Sequence, residues 1–197
     1  MSFELERQSY DIKEELQVRG ILEERTDWNF EFTKNSKYAP DLQLHNWGEE
    51  PEQPEDRDLT GFVEIEVTHS DSDWQTGEVP DNWTTINFLK RKIRRYDYEH
   101  KRWGELKQSA RKTIYLKFNH ELDNCFAAPV ERIYYDGYEQ SWNGGGPGWE
   151  FFCLSPDHGS ITYGIHDCVR FIEDYFDSLE DSQSSLTEFA ADGGDRK

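Results

Sequence analysis

Residues 61–67, Gly-Phe-Val-Glu-Ile-Glu-Val, restrict the fold more than any other stretch. They lie in a strand-like run from 59 to 70, and Phe62, Val63, Ile65 and Val67 are the side chains of a buried β-strand. Successive side chains on a strand alternate faces. Val63, Ile65 and Val67 therefore share one side, and Glu64, Glu66 and Thr68 share the other. The two glutamate Cα atoms are then about 6.6 Å apart, two steps of strand rise. A fold containing this strand must pack one face and find a place for two carboxylates on the other. Two arrangements do so. The strand can sit at a sheet edge with its acidic face wet, or the carboxylates can converge on a cation, for which hard oxygen ligands suit Mg²⁺ or Mn²⁺. Asp41, in the segment Ala39-Pro40-Asp41, adds a third carboxylate if its own strand pairs beside this one.

The flanking sequence supplies such neighbours. Leu5, Ile12, Leu16 and Leu22 recur at near-helical spacing over residues 2–25, predicting an amphipathic helix with a break at Gly20. Residues 28–33 alternate aromatic and polar side chains as a strand does, and 38–46 read as a second strand with Pro40 near its start. The acidic, proline-containing stretch 48–58 reads as a solvated loop. Residues 84–108 are predicted helical, with Ile86, Leu89, Ile93 and Tyr96 on one stripe. Strands are predicted over 113–119, 148–155 and 160–165, with a further sheet neighbour beginning at Cys125 and a loop over 140–148. A last helix over 166–179 turns Val169, Ile172, Tyr175, Phe176 and Leu179 inward, and an acidic tail from 180 to 197 is expected to be disordered. The whole reads as one α/β or α+β domain, residues 1–179, with a central mixed β-sheet flanked by helices.

Hydrophobic residues make up only 35% of the chain, but aromatics reach 15%, so large rings can fill a core with few aliphatic side chains. The formal net charge of −19 argues against non-specific adhesion to DNA or to an anionic membrane. Cys125, Cys153 and Cys168 are odd in number and form no CxxC pair, which disfavours a zinc ribbon and a disulfide framework and fits reduced thiols. With no long apolar run and a charged N-terminus, a cytoplasmic or virus-encoded intracellular protein is expected, without a membrane partner.

A helix with glutamates, then Pro40-Asp41, then Glu64-Ile65-Glu66 on an apolar strand, then a helix, resembles the PD-(D/E)xK nuclease superfamily over roughly residues 5–120. The resemblance implies a restriction-endonuclease-like fold and Mg²⁺- or Mn²⁺-dependent hydrolysis of phosphodiester bonds, in DNA rather than RNA. It implies that Asp41 and Glu64 are metal ligands, joined by the main-chain carbonyl of Ile65 and by Glu15 or Glu14 from the first helix. The departure is Glu66, which stands where the family usually has lysine. An ExE variant with glutamate there does occur among restriction enzymes. Other members place the lysine elsewhere, and Lys90 or Lys92 could supply it here. In an active ExE site Glu66 would orient or deprotonate a metal-bound water.

The segment 90–102 holds Lys90, Arg91, Lys92, Arg94, Arg95, Lys101 and Arg102, a local reversal of sign that could track a phosphate backbone. Trp83 and Trp103 flank it and could stack on bases or pack. The competing reading is a helix face paired with the chain's own acids. His158, His166 and Cys168 fit no common zinc spacing, and the glycine-rich run 143–148 lacks the lysine of a P-loop. A homodimer or a larger protein complex is compatible with these features. The alternative function is a catalytically inactive, nuclease-like fold acting through its acidic surface as an interaction or inhibitor protein.

Overall fold

The computed structural model describes residues 2–26, 28–33, 40–45, 59–68, 79, 83–96, 107–141 and 150–192. The acidic segment 48–58, the glycine-rich run 143–148, and Lys101, Arg102 and Trp103 lie outside the described residues.

The chain begins with helix α1 (Ser2–Arg25), unbroken at Gly20, where an added Cβ would meet open space. Strands β1 (Asn29–Phe32) and β2 (Leu42–His45) follow and pair antiparallel. Strand β3 (Leu59–Val67) pairs antiparallel with β2 and parallel with β5 (Thr113–Phe118), and β6 (Cys125–Pro129) and β9 (Thr162–Tyr163) complete a six-stranded sheet. Its order is β1-β2-β3-β5-β6-β9, so the acidic strand is interior and the wet-edge arrangement is excluded.

A parallel pair needs a crossover, and the one between β3 and β5 carries the main departure from expectation. Instead of a helix from residue 84, its described part holds strand β4 (Ile86–Leu89), followed directly by the five-residue helix α2 (Lys90–Arg94). Ile86 and Phe88 alternate inward with period two, and β4 pairs antiparallel with β8 (Glu150–Leu154). Strand β7 (Tyr138–Ser141), whose last two residues fall in the loop expected over 140–148, pairs on the other side of β8, giving a second, three-stranded sheet in the order β4-β8-β7. Helix α3 (Val130–Asp136) joins β6 to β7.

Two apolar clusters fix the layers. On one face of the large sheet, Val63, Ile65, Ile114, Leu116 and Phe118 pack against Val18 and Leu22 of α1 and against Ile172 and Phe176 of the last helix, α4 (Ile165–Asp192). Phe176 lies so close over β3 that a Cβ at Gly61 would collide with its ring and sit 2.8 Å from the Lys112 carbonyl. On the opposite face, Tyr115, Phe126 and Ala128 meet Ile86 and Phe88 of β4, Ile93 of α2, Ile133 of α3, and Phe152 and Leu154 of β8. The face of β3 carrying Glu64 and Glu66 therefore points into a layer roofed by β4 and α2. Helix α4 continues to Asp192, past the boundary at 179, because no glycine or proline interrupts it before Gly193-Gly194. Among the described residues, no helix is long and apolar enough to cross a membrane.

Candidate metal and catalytic site

The site forms where β2 starts short of the full length of β3. Leu42 opposes Val63, and the chain reaches it through Pro40-Asp41, pinned by the Thr33 hydroxyl donating to the Pro40 carbonyl. In a ladder both polar groups of one residue point the same way, and those of Ile65 have no β2 partner because β2 has not yet begun. A buried amide and carbonyl left like this must find other partners. The Asp41 carboxylate accepts the Ile65 N–H at 2.6 Å through Oδ2, and the Lys92 ammonium donates to the Ile65 carbonyl. Lys92 Nζ also donates to Asp41 Oδ2 and lies 3.9 Å from Glu64 Oε2.

Asp41, Glu64 and the Ile65 carbonyl, three of the four groups that the family resemblance marks as ligands, thus surround one point, which the Lys92 ammonium fills. Glu64 has no exposed surface. Its Oε1 accepts a 2.7 Å hydrogen bond from the Tyr96 hydroxyl and lies 3.2 Å from Arg95 Nη1, whereas its Oε2 has no hydrogen-bond partner. Burial, and next the charge of Asp41, push the Glu64 carboxyl up from 4.5 to about 8, against the opposing pull of Lys92, Arg95 and Tyr96. Burial and the Glu64 charge raise the Tyr96 hydroxyl well above its ordinary value, which keeps it a proton donor.

Glu66 faces a separate cluster. Parallel pairing sets Glu64 beside Tyr115 and Glu66 beside Lys117. The Tyr115 hydroxyl donates to Glu66 Oε2, and Lys117 Nζ lies 2.9 Å from Glu66 Oε1 while donating to the Asn87 carbonyl at 2.6 Å. Burial, followed by the Glu66 charge, holds the Tyr115 hydroxyl well above its ordinary value. The position where the family has lysine is thus filled by a glutamate that carries its own lysine on the next strand.

The basic segment divides between two surroundings. Lys90 lies 2.7 Å from Glu139 and 3.4 Å from Glu150, away from the carboxylates of β3, and Arg94 pairs with Glu139 and lies over the rings of Tyr134 and Phe152. Lys90 therefore does not supply the missing lysine, because its short helix turns it toward the second sheet. Lys92 and Arg95 turn inward to Asp41 and Glu64, and Arg91 is exposed. Trp83 packs edge-on against Phe126. Glu14 and Glu15 are half-buried on α1, and neither joins Asp41 and Glu64: no group of three His, Cys, Asp or Glu side chains among the described residues is placed to hold a metal. His158 bonds Ser160, His166 is exposed, and the Cys168 thiol is buried against the Thr162 carbonyl, so these three form no site.

Sequence reasoning missed Tyr96, Tyr115 and Lys117 as parts of the site and assigned Arg95 to nucleic acid. Lys117 carried a signal, since a charge in the middle of the apolar run Thr-Ile-Tyr-Leu-Lys-Phe demands a buried partner. What remains for a divalent cation is a seat of two carboxylates and one carbonyl, hard oxygens of the type Mg²⁺ and Mn²⁺ take, with Glu64 Oε2 unclaimed. These residues fit such an ion provided that Lys92 gives up the seat. None of the family models, curated proteins or solved structures compared with the chain matches it.

Proposed function

We propose that this chain is a restriction-endonuclease-like domain that hydrolyses phosphodiester bonds, in DNA rather than RNA, with Mg²⁺ or Mn²⁺. The observation that carries this reading is the convergence of Asp41 Oδ2, the Ile65 carbonyl and Glu64 around a single cation. A splayed, solvated acidic face would have spoken against it. A bound divalent ion would supply an acidified water and polarise the phosphodiester. Asp41, Glu64 and the Ile65 carbonyl would hold that ion. Glu66, fixed by Tyr115 and Lys117, would orient the attacking water and take its proton. Lys117 and Lys92 would offer positive charge to the phosphate, a role for which Lys90 is badly placed.

The test is cleavage of plasmid, short duplex and RNA substrates by purified protein with Mn²⁺ or Mg²⁺. Cleavage should require the ion, favour DNA and vanish in Glu64→Ala. Activity that survives chelation or that substitution would end the proposal. A second reading draws on the pairing itself: Asp41, Glu64 and Glu66 face Lys92, Arg95 and Lys117 one for one, with little exposure. A network closed in this way also suits a disarmed site in an acidic interaction protein, and a well-folded sample that binds no Mn²⁺ would favour it.

A further inference from the structure

We infer that the Lys92 ammonium is a resident counter-ion of the metal seat, displaced when a divalent cation binds, so that lysine and metal compete for the same three oxygens. The inference rests on the metal-site reading above and deepens it. Lys92 Nζ donates to two of the three candidate ligands, Asp41 Oδ2 and the Ile65 carbonyl, and the third, Glu64 Oε2, is 3.9 Å away without a hydrogen bond. An ammonium is a compact point charge on a flexible stem, so it can fill a cation seat and also swing away from it.

None of the three oxygens depends on Lys92 for its position. Asp41 is anchored by the Ile65 N–H, Glu64 by Tyr96 and Arg95, and the Ile65 carbonyl by the strand that carries it. When the lysine leaves, the donors stay in place, which is what a preformed site needs. The unpartnered Glu64 Oε2 marks where the lysine serves the seat badly: one ammonium reaches two oxygens and leaves the third unsatisfied. A divalent ion, with shorter and more numerous bonds, can satisfy all three. Lys92 then plays two parts. Before the metal binds it offsets the repulsion of buried carboxylates, and afterwards it is a free cation beside the bound ion.

The inference is tested by titrating Mn²⁺ into wild type and Lys92→Met calorimetrically. The Met variant, with no ammonium to displace, should bind about tenfold more tightly or better, the scale of one like-charge contact removed. In the wild-type protein, acetic anhydride labelling of Lys92, read by mass spectrometry, should rise severalfold on saturation with Mn²⁺. Lys117, buried beside Glu66, should stay protected. Equal or weaker Mn²⁺ binding by Lys92→Met than by wild type overturns the inference and leaves the metal site standing. Absence of Mn²⁺ binding in both chains brings down the inference together with the metal-site reading. If the Met variant does not fold, the wild-type labelling decides: unchanged Lys92 reactivity, or a parallel rise at Lys117, overturns the exchange.

Discussion

At Glu64 opposing effects act on one carboxyl group. Burial and Asp41 disfavour its ionised form, Lys92, Arg95 and Tyr96 favour it, and the balance leaves it at about 8 instead of 4.5. Between those values the folded chain holds a proton that the unfolded chain has lost. The folded state binds more protons there, so stability falls as pH rises through that window and levels off above about 8. Without divalent ions, urea unfolding of the wild type from pH 5 to 9 should include a loss from this group on the order of a few kcal/mol. Glu64→Gln keeps the shape and removes the titration, so its profile should lack that component. A slope unchanged by the substitution would assign the titration to another group. The same balance bears on the resting site: a group that prefers its proton near neutrality gives Lys92 a weaker partner than Asp41 does, in keeping with the longer contact to Glu64.

At the level of elements, the pairing of β3 with β5 decides the chemistry available to Glu66. Register places Lys117 beside it, and both side chains are close to nine-tenths buried. Lys117→Met should therefore leave an uncompensated buried carboxylate and cost about 3–5 kcal/mol in denaturant unfolding. Adding Glu66→Gln should recover much of that loss, since the amide needs no counter-charge. A double variant no more stable than the single one would show that Lys117 acts through packing or through its bond to the Asn87 carbonyl. This pair also marks the limit of what the sequence could convey. The alternation in Gly-Phe-Val-Glu-Ile-Glu-Val is local, so β3, its two faces and the nearness of Asp41 were legible. The Glu66–Lys117 partnership depends on a register between residues 51 positions apart in the chain, which no local pattern announces. The same holds for β4: Ile86, Leu89, Ile93 and Tyr96 satisfy a helical period, Ile86 and Phe88 satisfy a strand period, and pairing with β8 decides between them.

Across the whole molecule, two electrostatic contributions oppose each other in their response to salt. The formal net charge of −19 makes the folded state repel itself, and added salt relieves that repulsion. The ion pairs around Lys92, Arg95 and Lys117 favour the fold but are buried, so screening reaches them poorly. Repulsion between exposed charges acts over a Debye length of about 30 Å at 0.01 M salt and about 3 Å at 1 M. The melting temperature should therefore climb as NaCl is raised across that range, and a fall would mean that exposed ion pairs outweigh the net charge. A divalent ion held by the proposed seat would add a contribution that ionic strength alone cannot imitate. At matched ionic strength, Mg²⁺ or Mn²⁺ at about 100 times its dissociation constant should stabilise the fold by a further ~2.7 kcal/mol, because it binds only the folded state. That increment should disappear in Asp41→Asn, which removes one ligand charge, while the NaCl response persists nearly unchanged. If the divalent increment survives in Asp41→Asn, the ion is condensing on the acidic surface and the convergence of oxygens around Lys92 does not select it.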